Sequence, residues 1–400
     1  MSVLQADKTT RVATNQEGEK EASGQRARAF LDDLPQRLKA IRQTIRDEYL
    51  QPHQKSWIVG FSGGKDSTLL LQLVLEAVLS VPPDSRTRPI YILSNDTLVE
   101  SPIYQSNVLK ALTRIEDGLP ALNVPVHIVK THPEDDWTFW VNLLGRGYPA
   151  PNRNFRWCTD RMKIRPTTKF IREQVDAAGE AILILGVRKA ESIARAQRIN
   201  AYTSSANERL NPHNDIKGCL IFRPIVDLTN EDVWCILLNA RPPWGGNHRE
   251  LVTLYRNAHG GECPFVVSED DTPSCGSSSA RFGCWTCTVV DKDNSLSALI
   301  DAGFEYLEPL SDFRERLKQV SDNPEYRSKI RRNGQPGLGP LTMEARKMLL
   351  SELIEVQKGT GMHLITDHEI RLIHDWWGRD ESTAILRELD QIVQLSKTTV

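Results

Sequence analysis

The sequence predicts an α/β fold: a parallel-sheet nucleotide-binding domain, an irregular cysteine-rich insert and a helical C-terminal region. Three observations carry this. Short, almost wholly apolar runs alternate with helical periodicity over the first 240 residues, as in a sheet covered on both faces. Residues 241–290 are rich in Pro, Gly, Ser and Cys without a long periodic element. From about Ser295 helical spacing dominates, interrupted near Gly334-Gln-Pro-Gly.

The elements follow in order. Leu31, Leu34, Leu38 and Ile41 recur at helical spacing and predict a helix over about 30–46. Trp57-Ile-Val-Gly-Phe61 predicts a buried strand, and the run from Ser67 to Val78 predicts an apolar helix. Pro89–Leu93, Val124–Val129 and Ala181–Val187 predict further strands, with a helix around Ile103–Ile115. Leu228-Thr-Asn-Glu-Asp-Val-Trp predicts a helix capped by Thr229 or Asn230, its acids suited to the positive end. This gives a polar tail over 1–25, the α/β domain over 26–240, the cysteine-rich segment over 241–294 and the helical region over 295–400.

Composition bounds the partners. Fifty Lys and Arg against 52 Asp and Glu leave a net charge of −2, so any nucleic-acid contact needs a local patch. No apolar run reaches the ~20 residues that span a bilayer. The first residues lack a signal-peptide core, so a cytoplasmic protein without membrane partners is expected. Seven cysteines in such a setting predict metal ligands or reactive thiols over disulfides.

Ser62-Gly-Gly-Lys-Asp-Ser67 stands between a buried strand and a helix. Gly63 and Gly64 let the backbone approach an anion, the helix N-terminus adds N–H donors, and Lys65, Ser62 and Ser67 add a charge and hydroxyls. A Walker A loop would need Gly at 59 and Ser or Thr at 66, where Val59 and Asp66 stand. The string resembles the PP-loop of the ATP pyrophosphatase superfamily, whose members adenylate a substrate oxygen and release pyrophosphate. Tyr91-Ile-Leu-Ser-Asn-Asp-Thr97, Arg156-Trp-Cys-Thr-Asp-Arg-Met-Lys163 and Gly186-Val-Arg-Lys-Ala-Glu-Ser192 with Arg195 resemble segments of its phosphoadenosine phosphosulfate (PAPS) reductase branch. The resemblance implies an ATP site formed by Ser62–Ser67, Asn95, Asp96, Thr97, Gly186, Arg188 and Arg195. Reaction at the α-phosphorus needs charge neutralised on both departing and transferring groups. Lys65, Lys163, Arg188 and Arg195 could supply this with Mg²⁺, and Asp66 or Asp96 could hold the metal or a water.

Cys275, Cys284 and Cys287 fall within thirteen residues, and a tetrahedral site needs a fourth ligand: Cys158 upstream, or its rival Cys263. All-thiolate ligation suits [4Fe–4S] or structural zinc, and spacing leaves both open. Cys219 and Cys235 lie in apolar surroundings and read as core. The combination of PP-loop, RWCTD segment and C-x8-C-x2-C resembles the DNA phosphorothioation family typified by DndC and SspD. That implies a [4Fe–4S] cluster on Cys158, Cys275, Cys284 and Cys287. It further implies a cysteine desulfurase as sulfur donor, other DNA-modification subunits as partners, and a DNA backbone phosphate as substrate. An assimilatory PAPS reductase would carry a late E-C-G-L-H cysteine, and no cysteine follows Cys287. Alternatives are a nucleotide-gated assembly subunit, a tRNA-thiolating enzyme and a PAPS reductase-like enzyme. Two basic patches are candidate nucleic-acid contacts: Arg146, Arg153, Arg156, Arg161, Lys163, Arg165 and Lys169 with Tyr148, Phe155 and Trp157, and Arg327, Lys329, Arg331 and Arg332. Trp376 and Trp377 read as core or partner surface.

Overall fold

The computed structural model describes residues 33–191, 196–197, 209–258 and 282–397, with 383–397 as backbone alone. Helix α1 (33–49) leads into β1 (Ser56–Gly60), α2 (Lys65–Leu79), β2 (Ile90–Asn95), α3 (Pro102–Gly118) and β3 (Val126–Thr131). After an irregular stretch come α4 (Arg165–Ala178), β4 (Ala181–Ile184), β5 (Leu210–Pro212), β6 (Cys219–Phe222), α5 (Asn230–Asn239) and α6 (Arg249–Asn257). Helices α7 (Asn294–Asp301), α8 (Glu308–Asp322), α9 (Met343–Thr360) and α10 (Asp367–Lys397) follow.

One sheet has the order β3-β2-β1-β4-β6-β5; all neighbours are parallel except β5, which runs antiparallel to β6. Alternation sorts the strand residues between two cores. Trp57, Val59, Ile90, Ile92, Ile182 and Ile184 face α1, α2, α3 and α5. Ile58, Leu93, Ala181 and Leu183 face α4 through Phe170, Ile171 and Val175. The chain leaves β1 toward β2 and later returns on its other side at β4, so the strand order reverses at β1. A crevice opens at such a reversal, beyond the carboxyl ends of the strands.

The structure adds β5 and β6, which the sequence reading did not contain, and differs from it in two strand boundaries and in the insert. The third strand runs two residues later than 124–129, because its pairing is set by Ile90↔Val126 through Asn95↔Thr131. The fourth ends at Ile184, freeing Gly186 and Arg188 for the loop beyond. The insert is not wholly irregular: α6 is amphipathic, burying Val252, Leu254 and Tyr255. Thr229 caps α5, accepting from the Asp232 amide at 3.1 Å while Asp232 Oδ2 accepts from the Thr229 amide at 2.8 Å. Arg37 from α1 then grips the same carboxylate.

The helical region is not an appendage on a finished domain. Phe139, Trp140, Leu143, Trp157 and Met162, from between β3 and α4, share one core with Trp285 and with side chains of α7 to α10. Two single π-turns, Val141–Gly145 and Thr159–Ile164, lie in that stretch, a device that often marks functional positions.

Candidate active site

The loop from Ser62 to Ser67 turns the end of β1 into α2. Gly63 has φ +79°, and a Cβ there would lie 2.6 Å from Val108 Cγ2, so both sign and space require glycine. Gly64 is the N-cap of α2 without a side-chain cap, which leaves the first-turn amides to an anion. The Ser62 amide donates to Ser67 Oγ at 3.2 Å, and Ser67 Oγ donates to the Gly64 carbonyl at 3.0 Å. Gly186, beyond β4, backs this turn: a Cβ there would lie 2.9 Å from the Asp66 carbonyl oxygen.

Asp66 is held between two cations. Lys65 Nζ reaches Oδ2 at 3.2 Å and Arg188 Nε reaches Oδ1 at 2.6 Å. Arg188 is only 1% exposed and also donates to the Leu228 carbonyl at 3.3 Å. It is therefore a buried brace that fixes Asp66, rather than a surface cation. The resulting cleft is about 590 Å³ and includes Ser62, Gly64, Lys65, Asp66, Ser67, Asn95, Lys163 and Gly186 in its wall. Asn95 also ties β2 to the π-turn that carries Lys163, donating to the Met162 carbonyl at 2.9 Å. Asp96 and Thr97 do other work. Asp96 accepts from the Leu98 amide, which lets Leu98 take φ 64°, and Thr97 Oγ1 lies 3.2 Å from Cys284 Sγ.

The thiol corner grows from the end of β2. Trp285 N–H donates to the Val99 carbonyl at 3.1 Å and Ser101 N–H to the Gly283 carbonyl at 3.0 Å, an antiparallel bridge that pairs Glu100 with Cys284. A turn closes with the Cys287 amide donating to Cys284 O at 3.1 Å. Burial pushes the Cys284 thiol up to about 12, against the opposing pull of the Lys163 charge and the Thr97 bond. Burial likewise raises Cys158, and the charge of Cys287 adds to it. Burial, opposed by Lys163, lifts the Glu100 carboxyl to about 6. Thus Cys158, Cys284, Cys287 and Glu100 all lie within the electrostatic reach of one another or of Lys163. All three thiols are free.

Thiols are the donors a thiophilic metal group takes, and Cys158, Cys284 and Cys287 supply that chemistry. Among the described residues no three Cys, His, Asp or Glu side chains gather into a metal-holding group. Cys275, Cys263 and Arg195 lie outside the described residues. Cys219 is buried in the sheet core, where burial raises its thiol to about 11, and Cys235 packs beside the other core.

Much of the first basic patch is spent internally. Arg146 is buried between Trp137 and Trp376, its Cζ 3.6 and 4.3 Å from their ring centroids, and pairs with Asp136. Arg161 and Arg165 pair with Asp160 and also stack on Trp137. Trp377 donates to the Leu144 carbonyl in the second core. Sequence reading missed Tyr104, Tyr255, Phe282 and Glu100. Tyr104 donates to the Ser62 carbonyl at 2.6 Å, the Lys65 amide donates to Tyr255 Oη at 3.2 Å, and Phe282 stacks on Tyr104 with centroids 5.2 Å apart. No local signal marks them, since each reaches the loop from a separate element.

Among the described residues no helix is long and apolar enough to cross a membrane. The model of the phosphoadenosine phosphosulfate reductase domain family matches residues 56–290. An uncharacterized protein of Methanocaldococcus jannaschii is 28% identical over 191 residues, 48% of this chain and 33% of that protein; the chain thus spans about a third of this relative's length. Among solved structures, a phosphate complex of the PAPS reductase from Candida auris is similar at TM-score 0.33 and 16% identity, covering 52% of this chain and 82% of that one. The U34-tRNA thiolase NcsA from Methanococcus maripaludis, solved with its [4Fe–4S] cluster, is similar at TM-score 0.32 and 16% identity, covering 61% and 85%. A cleft built on an SGGKDS turn at the sheet's reversal point, in a domain spanning more than half of the sequence, places this chain in the phosphoadenosine phosphosulfate reductase domain family of the nucleotide-using PP-loop superfamily.

Proposed function

We propose that the protein is an ATP pyrophosphatase-type enzyme of DNA phosphorothioate modification. It adenylates a backbone phosphate and exchanges a non-bridging oxygen for sulfur. One observation carries the reading: Lys163 lines the cleft of the anion nest, and its charge also acts on Cys158 and Cys284.

In the first step a phosphate oxygen of the substrate attacks the α-phosphorus of ATP, the α–β bridging bond breaks, and pyrophosphate leaves. The α2 amides and Lys65 hold the departing phosphates, and Asp66, fixed by Arg188, offers a carboxylate to Mg²⁺. In the second step a sulfur nucleophile attacks the activated phosphorus and AMP leaves with the former phosphate oxygen. Lys163 stands where it neutralises charge between the two sites. Cys158, Cys284 and Cys287, with Cys275, would hold a [4Fe–4S] cluster, which supplies iron able to bind sulfur. The cysteine desulfurase and companion subunits belong to this reading through its sulfur requirement.

Pyrophosphate release from ATP by anaerobically purified protein in the presence of a DNA strand tests the first step. Lys65→Ala is expected to lower it by two orders of magnitude or more, on the scale of losing one preorganised charge contact. Unchanged turnover would refute the assignment. A Cys284→Ser, Cys287→Ser double variant should lose iron and visible absorption while still binding ATP. Bound zinc in place of iron would overturn the cluster.

A further inference from the structure

Tyr148 and Phe155, the aromatics of the first patch, meet Arg327, Arg331 and Arg332 of the second in one groove of about 660 Å³ between the 147–155 loop and the 327–340 loop. That is the size range of a small-ligand pocket. We infer that this groove binds an unpaired nucleotide of a nucleic-acid strand, stacking its base on Phe155 and meeting its phosphates with Arg331 and Arg332. This rests on the phosphodiester-substrate reading above and names the surface that would present the strand.

The groove is built from ordered parts. The Arg327↔Leu341 and Ile330↔Pro336 bridges fold the second loop into a hairpin, and Arg331 N–H donates to the Gln335 carbonyl at 2.9 Å. Phe155 is 43% exposed although its ring contacts Tyr148 at 5.9 Å between centroids. Arg332 lies over the Tyr148 ring at 5.3 Å. An exposed aromatic in a groove with free-charged arginines, one of them over the neighbouring tyrosine ring, is the chemistry that takes a splayed base and its phosphate.

Charge is left over. Arg327 donates to the Gly339 carbonyl at 2.7 Å and the Ser321 carbonyl at 2.9 Å, and Arg332 donates to the Arg146 carbonyl. Carbonyls satisfy the donors without cancelling the charge. Asp322 acts on Arg327 from a distance, and among the described residues no carboxylate forms an ion pair with Arg327, Arg331 or Arg332.

The groove also adjoins the thiol corner. Tyr148 contacts Trp157 edge-to-face at 5.6 Å, and Trp157 immediately precedes Cys158. Thr288, next to Cys287, donates to the Pro151 carbonyl at 2.6 Å, tethering the same loop. A strand seated in the groove would run toward the reacting centre.

The test uses the full chain and a fluorescein-labelled single DNA strand of about 16 nucleotides, read by anisotropy. Phe155→Ala should weaken binding at least about five-fold, and Phe155→Trp should restore it, which a folding defect would not allow. Arg331→Ala should lower the slope of log affinity against log salt by about 0.7. The same sequence as RNA distinguishes the kind of strand, and weaker binding of the duplex is expected. Equal affinity of the Phe155→Ala protein and the unaltered protein, or equal competition by polyglutamate of matching charge, overturns the proposal. Pyrophosphate release measured in parallel separates the two readings. Weaker strand binding, with pyrophosphate release restored at saturating strand, supports the groove. Normal strand binding by the variants with normal release sinks the groove alone, and absent release with a functioning groove sinks the adenylation reading alone.

Discussion

The anion nest and the thiol corner are neighbours built on opposite plans. The nest is local: six consecutive residues, a positive φ at Gly63 and a helix N-terminus make most of it. The thiol corner is assembled over long sequence distances, from Thr97–Ser101 at the end of β2, the turn at 283–287, Cys158 on its π-turn and Arg314 on α8. Damage to the nest should therefore remove activity while sparing the fold. Damage to the corner should cost stability and thiol placement together.

Arg314 offers the largest way to separate them. It is 1% exposed, donates to the Cys287 carbonyl at 2.8 Å, and also reaches the carbonyls of Val290 and Asp291. Arg314→Ala strips three carbonyls of their donor and leaves a void, an expected loss of about 3–5 kcal/mol. Urea unfolding should show it, and Cys284 should become open to thiol reagents. A variant of normal stability with shielded thiols would mean that the corner does not depend on the C-terminal helices.

This contrast also explains what was legible beforehand. The first four strands could be read because each is a short, largely apolar run, and the nest because its requirements lie within Ser62–Ser67; β5, Leu210-Asn-Pro212, and the four-residue β6 were not read as strands. The shared second core could not be read. Nothing in the run from Phe139 to Met162 says that its partners are helices far later in the chain, from Leu296 to Trp377. Arg146 and Arg161 read as surface charge for the same reason, since Trp137 and Trp376 reach them through tertiary packing. Arg188 was assigned to the phosphates, yet its guanidinium braces Asp66, a distinction that only the buried geometry draws.

The insert grips α2 through His248, and acid tests that grip. His248 is buried at the start of α6, with Nε2 2.7 Å from Gln72 Oε1 on α2. Burial holds its imidazole down at about 4, from an ordinary 6.5. Between those values the unfolded chain binds the proton and the folded chain does not, so stability rises with pH there. The contribution is present above about pH 6.5 and is lost as pH falls toward 4, by about 3 kcal/mol in all. The difference in urea midpoint between unaltered protein and His248→Gln should therefore shrink or reverse from pH 7 to pH 5. A constant difference would show that His248 is not held neutral.

The smallest effect concerns the point where the insert touches the nest itself. The Lys65 amide, which stands where a phosphate oxygen would be received, donates instead to Tyr255 Oη at 3.2 Å. Tyr255 also places its ring 5.6 Å from Lys65 Nζ and packs edge-on against Phe282 and Trp234, so losing the hydroxyl leaves its packing in place. Tyr255→Phe should cost the unliganded protein about 1 kcal/mol, the worth of one ordinary hydrogen bond. ATP would then bind without displacing that bond, and its affinity should rise by up to about five-fold, the equivalent of the same energy. Calorimetric titration with ATP alone reads this directly. A weaker affinity in the phenylalanine variant would instead mean that the hydroxyl stays in the liganded site and donates to the phosphates, making the insert part of the nest rather than its cover.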